Sequence, residues 1–306
     1  MGVLPPAPFG RLLSAMVTPF TASGAVDLDG AAELATWLVD SGHHGLVISG
    51  TTGESATTTD EEKDRLLRAV VEAVGNRASI VAGVGTNDTA HSVELAQAAE
   101  KAGAHGLLAV TPYYTKPPQE GLITHFRAIA DSSGLPVMLY DIPGRAGVAI
   151  ATPSLLRLAD HPRIVAVKDA KGDFTGTAQV RAATDLAYYS GEDVLTLPLL
   201  SLGAVGVVGV PTHVAGPQIG HMIALYDAGD VAAARDVHLR LLPVLHGFFR
   251  TQGVILAKAA LNAAGLPAGP VRLPLVDATE AEIAQLHVDC EAAGIDLGSV
   301  RDGWAA

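Results

Sequence analysis

The chain repeats one pattern: a short apolar run, a polar or Gly-rich segment, then an Ala/Leu-rich stretch with helical spacing. Eight apolar runs stand out, over residues 14–18, 45–49, 80–83, 106–110, 137–140, 164–168, 187–190 and 206–210. Most are continuous rather than alternating, as in strands buried on both faces. Helix signals fill the gaps. Thr59-Asp60-Glu61-Glu62 has the form of a capping box ahead of an amphipathic stretch. Thr152-Pro153 sets a capping hydroxyl before a first-turn proline. Gly42, Gly75, Gly103 and Gly203 stand where helices stop before the next strand. Leu34, Trp37 and Leu38 share one helical face.

Eight strands alternating with helices predict a closed (β/α)8 barrel. The competing fold, an open doubly wound sheet, normally carries a phosphate-binding glycine loop after its first strand. Here that strand runs into Thr18-Pro19-Phe20, and Gly83-Val84-Gly85 lacks the third glycine of a dinucleotide fingerprint. From residue 230 the pattern changes. Helical stretches over 231–250, 254–264 and 280–293 have no strands between them, and Pro267, Pro270 and Pro274 break the connection before the last. The predicted organisation is a catalytic barrel over residues 1–229 and a C-terminal three-helix appendage over 230–306. No binding motif stands out in the appendage.

Composition narrows the function classes. With 49% hydrophobic residues among 306, the chain is far too apolar to be disordered. A single cysteine, Cys290, excludes an intrachain disulfide framework and a cysteine-based zinc cluster. The formal charge of −12 argues against nucleic acid and anionic membranes as partners. Residues 194–210 approach the length of a membrane span, but Pro198, Gly203, Gly206 and Gly209 interrupt them, and they read as a buried helix and strand. Residues 1–9 lack the charge and apolar core of a secretory signal, and Pro6 stands where a myristoylation motif wants Ser or Thr. The expectation is a soluble cytosolic protein. A mean hydropathy of +0.32 with sparse charge predicts an oligomer interface over part of the surface.

Barrel enzymes carry their chemistry at the C-terminal ends of the strands. Of six lysines, only Lys168 closes an apolar run, Ile164-Val165-Ala166-Val167. A side chain there enters the barrel mouth, where desolvation lowers the pKa of an amine and frees it to attack a carbonyl as a Schiff-base nucleophile. The competing reading is an ion pair with Asp169 or Glu54. Tyr140 ends the neighbouring strand, and its phenol suits the proton transfers of a carbinolamine, unless it only fills the barrel. Thr51, in Gly50-Thr51-Thr52-Gly53-Glu54-Ser55, offers a hydroxyl that donates and accepts, or else caps its own loop. Successive amides of that loop suit a carboxylate. Arg145, after Pro143-Gly144, suits a second carboxylate if it faces the mouth rather than solvent. His43 and His44 precede a strand on the face that serves stability, His213 reads as packing or capping, and nothing resembles a metal cluster.

The strand-end segments GTTGES, VTPYYTKPPQ, YDIPGR, VKDAK and YYSGED, in that order, resemble the dihydrodipicolinate synthase / N-acetylneuraminate lyase family of Schiff-base aldolases. The likeness runs from about residue 13 to the C-terminus. It implies that Lys168 binds pyruvate as an imine and that Tyr140, Thr51 and Tyr114 relay protons, Tyr114 coming from a neighbouring subunit. It further implies that Thr51 and Thr52 hold the pyruvate carboxylate, that Arg145 holds the carboxylate of L-aspartate 4-semialdehyde, and that Gly191 and Val208 line the pocket through their backbone. The implied protein is a homotetramer without cofactor, acting in lysine biosynthesis through diaminopimelate. Sialic-acid lyases of the family look different after the strand-five tyrosine and lack this arginine. Lysine-inhibited members typically carry histidines where this chain has Asp60-Glu61-Glu62-Lys63 and a glutamate near His91, so weak or absent feedback by lysine is expected. Gly209-Val210-Pro211-Thr212 departs from the family's small-polar pattern, which keeps a paralogue reading open, and a reading from another class stands apart from it. One is a related pyruvate-dependent aldolase acting on a 2-keto-3-deoxy sugar acid or hydroxy-oxoglutarate. The other is a silent barrel that binds a keto acid. An acidic protein for two anionic substrates must concentrate positive character locally, and Lys168, Arg145 and the Thr51–Gly53 amides are where it is expected.

Overall fold

The structure is a computed structural model that describes residues 6–302; the targeting reading of residues 1–5 lies outside the described residues. Eight parallel strands close on themselves in sequence order: β1 Leu12–Ala15, β2 Gly45–Ile48, β3 Ser79–Gly83, β4 Gly106–Val110, β5 Val137–Asp141, β6 Ile164–Asp169, β7 Ala187–Ser190 and β8 Gly206–Gly209. Pairing of β1 with β8, Leu13 against Val208, completes the circle. The predicted (β/α)8 barrel is therefore the fold. The first strand begins and ends earlier than its apolar run. Its pairing stops where Val17 N–H turns to His213 Nε2 at 3.3 Å and Pro19 offers no donor.

Helices alternate with the strands: α1 Leu28–Asp40, α2 Asp60–Val74, α3 Thr89–Lys101, α4 Gln119–Asp131, the single turn α5 Pro143–Ala146, α6 Thr152–Ala159, α7 Phe174–Ala183, the short α8 Thr196–Leu200 and α9 Thr212–Asp227. The capping box at Thr59 and Glu62 is formed on both sides. Two local expectations fail. Thr152 is the first helical residue of α6 and Ala151 occupies the cap, so no side chain caps it. Gly75 ends α2 with φ −63, in the right-handed region, unlike Gly42, Gly103 and Gly203. Residues 194–210 contain a short helical turn, α8 and β8, and no helix of the described residues is long and apolar enough to cross a membrane.

Strand side chains alternate between two apolar layers. Leu13, Val47, Val81, Leu108, Met138, Ala166, Tyr189 and Val208 fill the barrel interior. Leu12, Leu46, Ile80, Leu107, Leu139, Val167, Tyr188 and Val207 point out against the helices. The C-terminal helices α10 Val231–Gly247, α11 Gly253–Ala263 and α12 Glu280–Ala292 join that outer layer, with Leu245, Leu256, Leu261 and Leu286 in the same continuous cluster. Phe9 and the Tyr189 hydroxyl, which accepts from Phe9 N–H at 3.1 Å, close the N-terminal end of the barrel.

Candidate active site

The register of β5, β6 and β7 sets Tyr140 beside Lys168 and Lys168 beside Tyr189. Tyr140 follows Met138 in the inward set, and Lys168 follows Ala166, so both side chains enter the barrel mouth. The phase of β6 depends on an irregularity. Val137 pairs with Ile164 but Met138 pairs with Ala166, so Val165 is an extra residue. Ile164 faces out and Val165 packs on the interior; simple alternation from there would have turned Lys168 outward.

The mouth holds two adjoining chambers that share Thr51, Tyr140, Arg145 and Gln252 in their walls. The inner one, about 80 Å³, has Lys168, Thr52, Gly191 and Glu192 around it. The outer one, about 350 Å³, opens past Ser55, Tyr113 and Leu275. Lys168 Nζ lies 4.3 Å from the centroid of the Tyr140 ring. Neither ion pair considered for Lys168 forms. Glu54 is held by Lys258 at 2.7 Å, and the Asp169 carboxylate accepts from Thr177 Oγ1 and the amides of Lys171 and Gly172. Burial, against the opposing pull of Asp193, lowers the Lys168 pKa to about 8. Roughly a tenth of the chains then carry the neutral amine at pH 7, against fewer than about one in a thousand for an unperturbed lysine. Burial pushes the Tyr140 phenol up, so it stays protonated and able to donate.

Gly191 is demanded by contact rather than by dihedral. A Cβ there would meet Lys168 Cγ at 2.8 Å and Cε at 3.0 Å, in the space the lysine stem occupies. Thr52 is buried and Thr51 exposed, both on the loop after β2. The amides of Thr51, Thr52 and Gly53 donate to no protein acceptor among the described residues. The loop is pinned by Thr18 Oγ1, which donates to Gly53 O at 2.6 Å. Arg145, on α5, is exposed on the chamber wall with no carboxylate partner among the described residues. Val208 lies in the barrel interior and is not among the lining residues; Val210 is. Tyr114 is not brought in either. It is 87% exposed, with φ 72, and only its neighbour Tyr113 reaches the chamber.

His213 is a buried, neutral anchor: burial lowers its pKa to about 4, and Nδ1 bonds Val210 O at 2.8 Å. Asp60 is held by His91 at 2.8 Å and Lys63 at 3.2 Å. No group of His, Cys, Asp and Glu suited to a metal occurs among the described residues.

Sequence reasoning passed over three contributors. Asp193 is buried and its charge acts on the amine, its own pKa raised to about 7 by burial, with one oxygen accepting from Val210 N–H at 3.4 Å and the other unpartnered. Thr111 fixes the end of β5 by donating its hydroxyl to Tyr140 O at 2.9 Å. The turn into α11 supplies Phe249, Gln252, Gly253 and Val254 to the inner chamber. Asp193 sat within a quoted strand-end segment, and its place after β7 was the available signal. The α11 turn offers no signal, because its role comes from how the appendage folds back.

The model of the dihydrodipicolinate synthetase family matches residues 8–293. This chain belongs to that family. It is 72% identical to the 4-hydroxy-tetrahydrodipicolinate synthase of Acidothermus cellulolyticus over 95% of this chain and 94% of the relative. To a synthase of Streptomyces coelicolor it is 62% identical, over 96% of this chain and 98% of the relative. Among solved members of the family, DHDPS from Cyanidioschyzon merolae with lysine bound superposes with a TM-score of 0.92 at 44% identity, covering 94% of this chain and 99% of that one. The chloride-inhibited enzyme of Acinetobacter baumannii complexed with pyruvate superposes at 0.90 with 35% identity, over 95% and 100%.

Proposed function

We propose that this chain is a Schiff-base lyase that condenses pyruvate with L-aspartate 4-semialdehyde to 4-hydroxy-tetrahydrodipicolinate, in lysine biosynthesis through diaminopimelate. The observation that carries the reading is a desolvated, unpaired lysine at a barrel strand end, in van der Waals reach of a buried phenol. Relatives above 60% identity that bear this activity's name support the second substrate.

In this reading Lys168 Nζ adds to C2 of pyruvate, and the carbinolamine oxygen leaves as water once protonated. The protonated imine withdraws electrons, so a methyl proton departs and an enamine forms. The enamine carbon bonds to the aldehyde carbon of the semialdehyde, whose oxygen takes a proton. The semialdehyde's amino group then displaces Lys168 from the imine carbon and closes the ring. Tyr140 and Thr51 carry protons, with Tyr114 of the partner subunit completing the relay. The Thr51–Gly53 loop, with Thr52, receives the pyruvate carboxylate, and Arg145 receives that of the semialdehyde. Gly191 keeps the space that Lys168 crosses. Val208 shapes the strand behind it. The proposal includes a cytoplasmic homotetramer and needs no cofactor or metal.

The test is reduction with borohydride in the presence of pyruvate, followed by peptide mapping, then a coupled assay with aspartate semialdehyde and the downstream reductase. Labelling at Lys168 and turnover with the semialdehyde but not with sugar acids is the expected result. No mass gain on Lys168 removes the reading. Tyr140→Phe is expected to lower turnover by about 10²–10⁴-fold with the fold intact.

A further inference from the structure

Lys258 is a buried charge that the reaction above does not use. It sits in the middle of α11, and its ammonium and the Glu54 carboxylate are each 2% exposed and 2.7 Å apart. The ammonium also donates to Pro270 O at 2.7 Å and lies 4.0 Å from the centre of the Phe20 ring. The second Glu54 oxygen accepts from Arg272 N–H at 2.8 Å. The Arg272 guanidinium lies 4.2 Å from the same Phe20 ring, and Phe20 N–H donates to Ala268 O at 3.1 Å. One carboxylate thus ties the loop after β2 to two places in the C-terminal segment, and Phe20 ties the loop after β1 to the same segment.

A buried ion pair is weak grounds for stability, because desolvation offsets most of its attraction. What this pair does is fix geometry. Glu54 has φ 53, a left-handed conformation that a non-glycine residue keeps only when its surroundings hold it. Glu54 N–H closes the turn onto Thr51 O at 3.1 Å, so the orientation of Glu54 sets the orientation of the amides just before it. Thr51 and Thr52 line the inner chamber. The N-terminal end of α11 lines the same chamber through Gly253 and Val254.

We propose that Lys258 and Glu54 are positioning residues for substrate binding: α11 grips Glu54, and thereby holds the Thr51–Gly53 amides where a pyruvate carboxylate needs them. Lys258 thereby sets pyruvate affinity without itself lining the inner chamber. This rests on the Schiff-base reading above. It adds that the appendage holds the carboxylate cradle in place.

The test is the pyruvate dependence of borohydride labelling at Lys168 in the full chain. Lys258→Met and Glu54→Gln are expected to raise half-saturating pyruvate by about tenfold or more, the scale at which supporting residues act on a site. Labelling at saturation should stay complete in each folded chain. Leu286→Ala, which empties a fully buried position on α12 outside the chamber walls, is the stability control. It should lower the melting temperature and leave half-saturation within twofold. A purely structural role for Lys258 would behave like that control, so folded variants whose half-saturation stays within twofold of the unaltered chain overturn the proposal. Should neither variant fold, amide exchange on the unaltered chain decides. Pyruvate reduced onto Lys168 must slow exchange in both 51–55 and 254–272, and protection confined to the first segment overturns it. Failure of the unaltered chain to label at all removes the Schiff-base reading instead.

Discussion

Burial and three charged groups around one amine decide how this site titrates. Burial lowers the Lys168 pKa, Asp193 and Glu192 raise it, and Arg145 lowers it. The attacking species is the neutral amine, so imine formation should rise with pH through about 8. Replacing Asp193 or Arg145 should move that midpoint in opposite directions. Asp193→Asn removes a negative charge that favours the ammonium, so the midpoint should fall. Arg145→Ala removes a positive charge that opposes it, so the midpoint should rise. Both are read from the pH dependence of the initial rate of borohydride labelling at saturating pyruvate. Shifts in the same direction would show that these variants act by changing burial rather than charge. Lys168 and Tyr140 were legible in the sequence because each ends an apolar run, where a polar side chain has no structural excuse. Asp193 was not, because an acidic pair in a loop reads as solvated. Its burial comes from the turn into α8 packing against β8 and α10, which no local pattern records.

The same contrast recurs between elements. Strand number and order followed from the apolar runs, but the phase of β6 did not. The extra residue Val165 in β6 has no sequence signature, and it decides that Lys168 faces inward. On the outward side the strand ends carry Asp141 and Asp169, paired across β5 and β6. Lys171 Nζ bridges Asp141 at 3.1 Å and Ile150 O at 3.0 Å, and Ala170 N–H donates to Asp141 O at 2.9 Å. This clamp fixes β5 against β6 one residue beyond Tyr140 and Lys168. Lys171→Met leaves a carboxylate that is 1% exposed with only the Ile150 N–H for a partner and should cost about 3 kcal/mol, the low end for a broken buried pair because the ammonium is 14% exposed. The sign with pH follows. Burial holds the Asp141 pKa above its ordinary value, so the folded chain binds the extra proton and stability falls as pH rises above the usual carboxylate range. Without Lys171 that fall steepens. Urea unfolding of the variant should show a smaller deficit near pH 5 than near pH 8, and an equal deficit at both would mean that Asp141 finds another partner.

At the scale of the whole molecule, a single chain gathers Lys168, Tyr140, Thr51 and Arg145 round one cavity and leaves Tyr114 87% exposed, outside the chamber walls. Its backbone is left-handed, with φ 72, so the side chain is presented outward by a conformation that has to be held. If each chamber receives Tyr114 from another copy, two inactive variants should repair each other. Lys168→Ala lacks the nucleophile but offers an intact Tyr114. Tyr114→Phe keeps the nucleophile and lacks the hydroxyl. Mixed in equal amounts, unfolded and refolded together, they pair at random. Half of the pairs are then hybrids, each with one complete site, so about a quarter of all sites should be active. Each variant refolded alone should stay near background in the coupled assay. If Tyr114 serves its own chain, no hybrid contains a complete site and mixing restores nothing. Tyr114→Phe that is fully active by itself would take this tyrosine out of the relay altogether.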